Sequence, residues 1–297
     1  MSLATLPTKT SYPITTPSSP PPVPDNWPRC LYNEEQIAQL DQLKELVPPL
    51  LTTGDERTEE EAWCDDACLL RYLRATKWNV PAAAKRLENT LIWRREYKPH
   101  KIDPAEVEEE AKMGKQIVSG FDLQGRPLIY MIPRKEHTKT YDRQLRFVVF
   151  NLERAIRAMP PGVESLNLVI DYEGVSVRTS PPSSQAKKVL AILGDHYPER
   201  LGMGFMINPS WYLWVFFKII GPFLDPITRS KIHFVNLKKQ ADFNTNTNEG
   251  ESGKEVEGMG GWTNIRYYIG PDQLLKEYGG EVEYEHVHDI YWKAITA

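Results

Sequence analysis

Cysteine is scarce: Cys30, Cys64 and Cys68 are the only three among 297 residues. An odd count in a chain without an export signal argues against a disulfide framework and fits reduced thiols in the cytosol. No apolar run reaches 18 residues, and no basic stretch followed by an apolar one opens the sequence, so neither membrane spanning nor secretion is expected. Positive charge is not in excess either. The formal net charge is -4, so no global field draws nucleic acid or a strongly anionic membrane, and any anion site must be local. Catalytic signatures are missing as well: there is no G-x-S-x-G elbow, no P-loop and no H-E-x-x-H. Residues 250–254 lack the phosphate-loop spacing, and Gly258 to Gly261 do not lead from a strand into a helix. Cys64 and Cys68 could share a helix face, but no His or third Cys lies nearby, so no metal and no cofactor is expected.

What is present is 41% hydrophobic and 26% charged, an ordinary globular balance. Residues 1–28 hold eight of the 24 prolines, mixed with Ser and Thr and without apolar periodicity, and read as a disordered tail. Asn33 can cap a helix with Gln36 three positions on, and Ile37, Leu40, Leu43 and Val47 share a face until Pro48-Pro49. A polar loop rich in Glu and Thr is expected next. A helix over 65–76 and another from Asn79-Val80-Pro81 through Trp93 complete a small bundle. Near Gln116 the pattern turns extended. Ile117-Val118 and Pro127 to Met131 flank Asp122-Leu123-Gln124-Gly125, a hairpin with Gly125 in the turn. Helix 142–158, strand 166–171, helix 183–196, strand 203–208, an apolar helix and strand 232–237 then alternate, which predicts an α/β layer with a largely parallel sheet. Residues 238–258 read as a loop, 272–278 as a helix, and the end as an edge strand or tail.

One stretch stands out. Between Pro198 and Ile232 the chain passes a charged corner, a short apolar strand and Asn208-Pro209-Ser210, and then runs almost wholly apolar from Trp211 to Leu224, with Lys218 its single charge. No face of such a helix is left for water. About 14 residues cover ~21 Å, too little to cross a bilayer. Two readings stay open: a helix buried in a large core, or a lid with one side on an apolar cavity and the other on lipid. The rings of Trp211, Tyr212, Trp214, Phe216 and Phe217 suit a membrane interface and equally suit core packing. Asp171 ends a strand expected to be parallel, where enzymes often place catalytic groups, yet with Gly174 nearby it reads better as a turn cap. Taken alone, Lys231 and Glu199 read as a surface ion pair worth ~0–1 kcal/mol.

The segments LLRYLRATKW (69–78), DLQGRP (122–127), VIDYEG (169–174), YPERLG (197–202), GPFLDPITRSKI (221–232) and EYGG (277–280) resemble, in order and spacing, the CRAL-TRIO lipid-binding family, and within it the fungal phosphatidylinositol transfer proteins. The resemblance spans about residues 60–282 and rests most on PERLG together with FLDPITRSKI. It implies an α/β fold: an N-terminal helical bundle, and a mixed, mostly parallel sheet flooring a hydrophobic lipid pocket closed by a gate helix. The implied divisions are a tail at 1–28, a helical subdomain at 29–112, the lipid-binding domain at 113–282 and a tail at 283–297. Headgroup contacts fall to Glu199, Lys231, Lys77, Thr228 and Arg200. Gate and pocket fall to Trp211, Tyr212, Trp214, Val215, Phe216, Phe217, Ile220, Phe223, Leu166 and Leu168.

The chemistry of the implied ligand agrees with that set. Phosphatidylinositol carries one phosphodiester charge and a ring of hydroxyls, so a selective site needs a cation, a carboxylate and hydroxyl or backbone partners. Two positions depart from the family pattern. Thr76 stands where Arg is frequent before the motif lysine, and Leu166 and Leu168 stand where carriers of phosphatidylcholine offer hydroxyls. An apolar wall cannot satisfy a buried phosphate. The expected ligands are therefore phosphatidylinositol and a less polar second lipid such as a sterol, exchanged by a cytoplasmic protein in transient contact with a membrane surface. The endoplasmic reticulum, lipid droplets and cell periphery are the candidate membranes. A lipid-gated adaptor presenting phosphatidylinositol to a kinase is the main alternative, and a lipid-acting enzyme a weaker one; no nucleic-acid partner is expected, and the sequence assigns no oligomeric state.

Overall fold

The computed structural model describes residues 9–175, 183–210, 230–238 and 262–297. They fall into two compact units, Pro21–Ile102 with Pro182–Arg200, and Met1–Pro20 with Asp103–Pro181 and Leu201–Ala297.

The first unit is helical. Helix α1 (Glu34–Leu46) opens with the capping box expected of its sequence: the Asn33 side chain accepts from the Gln36 N–H at 2.9 Å, and the Gln36 side chain accepts from the Asn33 N–H at 3.1 Å. Helix α2 (Glu56–Trp63) forms where a polar loop was expected. Its sequence ERTEEEAW has little apolar stripe to betray it. A charged pair holds it instead, Glu60 accepting from Arg95 Nε at 2.6 Å and from the Thr52 N–H at 2.7 Å. Helices α3 (Asp66–Ala75) and α4 (Val80–Tyr97) follow, capped by Asp65 and Asn79. Leu40, Leu43, Cys68, Leu69, Leu73, Leu87 and Leu91 form the core of this unit. Burial pushes the Cys64 thiol well above its ordinary range, so it stays protonated and inert.

The second unit starts with helix α5 (Pro104–Ala111) and contains a five-stranded sheet, β1 (Gln116–Phe121), β2 (Pro127–Met131), β3 (Leu166–Asp171), β4 (Leu201–Ile207) and β5 (Ile232–Val235), in that spatial order. The β1–β2 pair is antiparallel and the other three pairs are parallel. The hairpin turns at Gly125, whose φ of +75° explains the glycine. Helix α6 (Tyr141–Arg157) packs on β1 and β2, and α7 (Ser183–His196), which belongs to the helical unit, packs on α4.

Three further expectations need correction. Residues 9–18 are not a free tail: Thr10 bridges Tyr284, and the Gly120 N–H donates to the Ile14 carbonyl at 2.9 Å. Composition did not foresee this, because the segment is held by backbone pairing and a buried Pro13 rather than by an apolar stripe. Of the helix expected over 272–278, only the short turn Lys276–Tyr278 forms. The Glu/His/Val alternation forms only isolated bridges, Val282 with Leu275 and Tyr284 with Thr10, and the chain then ends in helix α8 (His288–Thr296), whose fully buried Tyr291 accepts from the Val118 N–H at 2.9 Å through its hydroxyl oxygen.

The pairing of β1 with β2 shifts register between Val118 and Phe121, where Gly120 has φ +78°. A Cβ there would also collide with the Gln273 carbonyl. Gly120→Ala is therefore expected to cost about 2 kcal/mol, read as a lowered urea midpoint at unchanged slope. A midpoint equal to wild type would show that this bulge tolerates a side chain.

Candidate functional site

Alternation along the strands gives the sheet two different faces. On one, Ile117, Leu128, Tyr130, Val169, Phe205, Ile207 and Val235 are buried against Ile265, Ile269, Leu274, Leu275, Tyr278 and Tyr291. The opposite face carries Ile129 across from Leu168, Ile170 across from Met206, and Met206 across from Phe234. Over β1 and β2 this second face meets α6, where Asn151 Nδ2 donates to Gln116 Oε1 at 3.0 Å. Over β3 to β5 it is apolar but only partly covered: Leu168, Ile170, Ile232 and Phe234 are all half-buried, although Leu166 at the strand's start is buried. A sheet face of this composition is stable only when something apolar lies on it.

The two ends of β3 are pinned by polar groups. At its start Asn167, fully buried, donates to Asp122 Oδ2 at 2.8 Å and accepts from the Met203 N–H at 2.8 Å, while Asp122 holds Arg126 at 2.6 Å. At its end Asp171 is ion-paired with Arg134, accepts from the Tyr278 hydroxyl at 3.2 Å and caps its own turn by accepting from the Glu173 N–H at 2.9 Å. That last bond is the turn-capping reading of Asp171. A carboxylate so committed holds the strand end in place.

Lys231 immediately precedes β5, and its carbonyl accepts from the Gly204 N–H at 2.7 Å. The backbone beneath the ammonium is thus part of the sheet, while the side chain is half-buried. Lys77, Glu199 and Arg200 belong to the helical unit. Lys77 and Trp78 end α3 in consecutive left-handed conformations, φ +51° and +64°, and Glu199 has φ +58°. A non-glycine residue in this region carries a cost of about 1–3 kcal/mol that its surroundings must offset, and such positions cluster at ligand sites. Lys77 is exposed; Glu199 and Arg200 are half-buried. The Thr76 hydroxyl donates to the Tyr72 carbonyl at 2.9 Å, so it closes the helix end and does not replace a missing guanidinium. His196, three residues before Glu199, stacks on Trp93 at 4.2 Å with the planes 5° apart, and burial lowers its pKa. It therefore favours the neutral, packed state in the helical unit.

Thr228 and the gate and pocket candidates Trp211, Tyr212, Trp214, Val215, Phe216, Phe217, Ile220 and Phe223 lie outside the described residues. Sequence reasoning picked Leu166 and Leu168 but missed Ile170, Met206, Ile232 and Phe234 on the same face. The signal was there as period-two alternation, but parallel strands are apolar on both faces, so the pattern alone does not say which face meets the core. Among the described residues no cluster of three or more His, Cys, Asp or Glu could hold a metal ion, and no helix is long and apolar enough to cross a membrane.

The sequence that builds the helical unit and the mostly parallel sheet matches two known family models. The CRAL/TRIO domain model matches residues 111–280, and the CRAL/TRIO N-terminal domain model matches residues 39–89. The first match alone covers more than half of the chain, which therefore belongs to the CRAL/TRIO family. A CRAL-TRIO domain-containing protein of Schizosaccharomyces pombe is 40% identical over 267 residues, 89% of this chain and 24% of its own length. The phosphatidylinositol transfer protein PDR17 of Saccharomyces cerevisiae is 34% identical over 247 residues, 78% of this chain and 62% of its own length. The chain thus spans about a quarter of the first relative and about three fifths of the second. The crystal structure of Sfh5 superposes with a TM-score of 0.54 at 20% identity, covering 76% of this chain and 89% of that one, and shares the fold.

Proposed function

We propose that this chain binds phosphatidylinositol and exchanges it between membranes, with its acyl chains on the second face of the sheet and its headgroup read by Lys231, Lys77, Glu199, Arg200 and Thr228. The observation that carries the reading is the half-buried apolar surface of Leu168, Ile170, Ile232 and Phe234, which begins one residue after Lys231. The name of the PDR17 relative supplies the ligand class. In this reading residues 29–112 form the helical subdomain and 113–282 the lipid-binding domain, and the stretch from Trp211 to Leu224 is the gate.

Energetics favours a carrier over a store. Roughly 30 buried methylenes at ~0.8 kcal/mol each gain on the order of 24 kcal/mol from leaving water, and a bilayer offers nearly the same. Headgroup contacts then decide which lipid is preferred, and gate opening at the membrane surface decides how fast it moves. No chemistry on the lipid is assigned, because Asp171 already serves Arg134, Tyr278 and its own turn. Transfer of labelled phosphatidylinositol between vesicles by the purified chain tests the proposal: catalytic amounts are expected to accelerate it, and tight binding without transfer would favour an adaptor.

The wall at Leu166 and Leu168 sets the second ligand. It offers a phosphocholine group no hydrogen bond, and an unsatisfied buried phosphate costs several kcal/mol. Uptake of phosphatidylcholine is expected to fall at least ~10-fold below that of phosphatidylinositol, with a sterol the better second ligand. Equal uptake of the two phospholipids would refute this selectivity while leaving transfer itself standing.

A further inference from the structure

Residues 9–18 lie as a strap on the second unit, and its attachment is unusual. Thr10 exchanges backbone hydrogen bonds with Glu283 and Glu285, each 2.9 Å. Lys9 pairs with Glu285 at 2.7 Å. The Ile14 N–H donates to Ser119 Oγ at 2.9 Å, and the Ile14 carbonyl accepts from Gly120, whose N–H the bulge turns outward from edge strand β1. The far end is held by one hydroxyl: Ser18 Oγ donates to Asp272 Oδ2 and accepts from Gln273 Nε2 at 2.6 Å, and Gln273 in turn accepts from the Phe121 N–H at 3.1 Å. Between and beyond these anchors Thr15, Thr16, Ser18, Ser19 and Pro20 are exposed. The sequence there is ITTPSSPPP, so Thr16 and Ser19 are each followed directly by proline.

We propose that Ser19, with Thr16 as a second acceptor, is a phosphorylation site for a proline-directed kinase, and that phosphate there lifts the strap from the edge of β1. Both hydroxyls are accessible, and the proline after each presets a non-helical backbone of the kind an extended-peptide site accepts. In the transfer step the hydroxyl oxygen attacks the γ-phosphorus of ATP. The new O–P bond forms as the bond to the β-γ bridging oxygen breaks, ADP leaves, and the hydroxyl proton is released. The product carries roughly -1.5 to -2 charge, one residue from a serine whose anchor is the Asp272 carboxylate. Like-charge repulsion acts on the Ser18 anchor at the far end of the strap, and Ser119 and Gly120 lose their cover.

The test uses the full chain, a purified proline-directed kinase and ATP, with mass spectrometry to place the phosphate and amide hydrogen exchange to read the strap. Phosphate is expected on Ser19 and Thr16 and absent from the T16A/S19A double variant. Exchange at Gly120, Thr10 and Glu285 is expected to accelerate about tenfold or more, while the Val118 amide, bonded to Tyr291, stays protected and reports an intact fold. A semisynthetic chain carrying phosphoserine at position 19 gives the same readout without a kinase. Modification of the unfolded chain alone, or of neither form, would overturn the site. Unchanged exchange at Gly120 in the phosphoserine chain would overturn the release.

Discussion

Replacing Lys231 by alanine is expected to weaken phosphatidylinositol binding by about 2–3 kcal/mol, roughly 30- to 150-fold. The range follows from where the residue sits. Its backbone is fixed by the Gly204 N–H, so the stem starts from a set Cα, while the flexible chain must still order to meet a phosphodiester, which keeps the figure moderate. The side chain is half-buried, so water compensates part of the loss and the full penalty of a buried unpaired charge does not apply. An uncharged lipid makes no use of the ammonium, and its binding should change by less than about twofold. Titration with both lipids separates the possibilities. Parallel loss of the two would mean that the variant has damaged the fold, and no loss of either would remove Lys231 from the site.

The largest effect on stability is expected at Glu110. It is fully buried and accepts from Lys115, from Arg143 and from the Thr138 hydroxyl at 2.6 Å, while Lys115, itself 4% exposed, also reaches Glu136 at 2.7 Å. Removing one partner of a buried pair typically costs 3–5 kcal/mol. Because Lys115 keeps Glu136, Glu110→Ala should lie at the low end, about 3 kcal/mol, measured from chemical unfolding at neutral pH. Burial by itself would raise the Glu110 pKa, but donation from Lys115, Thr138 and Arg143 outweighs it and holds the carboxyl below its ordinary range. A carboxyl depressed in the folded state stabilises above its unfolded pKa, and that contribution is lost as the pH falls through the folded value. Stability of the wild type should therefore drop on acidification below about pH 4.5, and the variant should show a shallower drop there. Equal slopes would contradict the assignment.

How much of this was legible in the sequence depends on how each element is held. The Asn33 capping box, the Gly125 hairpin, the succession of β3, α7 and β4, and strand β5 were readable because each is a local signal, a side chain or a period acting within a few residues. Helix α2 was not, since its stability comes from the Glu60 pair with Arg95, 35 positions away. The strap and helix α8 were missed for the same reason: Ile14 meets Gly120, and Tyr291 meets Val118, through hydrogen bonds that no neighbouring residue announces. For the site, the resemblance supplied Lys77, Glu199, Arg200, Thr228 and Lys231, of which Lys231 and Glu199 alone would have read as a surface ion pair. The structure adds the left-handed backbone at Lys77 and Glu199 and the anchored backbone of Lys231. It also adds the rest of the apolar face around Leu168.

Mass spectrometry of the lipid that co-purifies with the chain bears most directly on the central claim. Phosphatidylinositol is predicted to be the dominant phospholipid recovered, in clear excess over phosphatidylcholine despite whatever abundance the host membrane gives the latter, and depleted in the K231A variant. Recovery of no phospholipid, or of a mixture that mirrors the host membrane in both wild type and K231A, would contradict it.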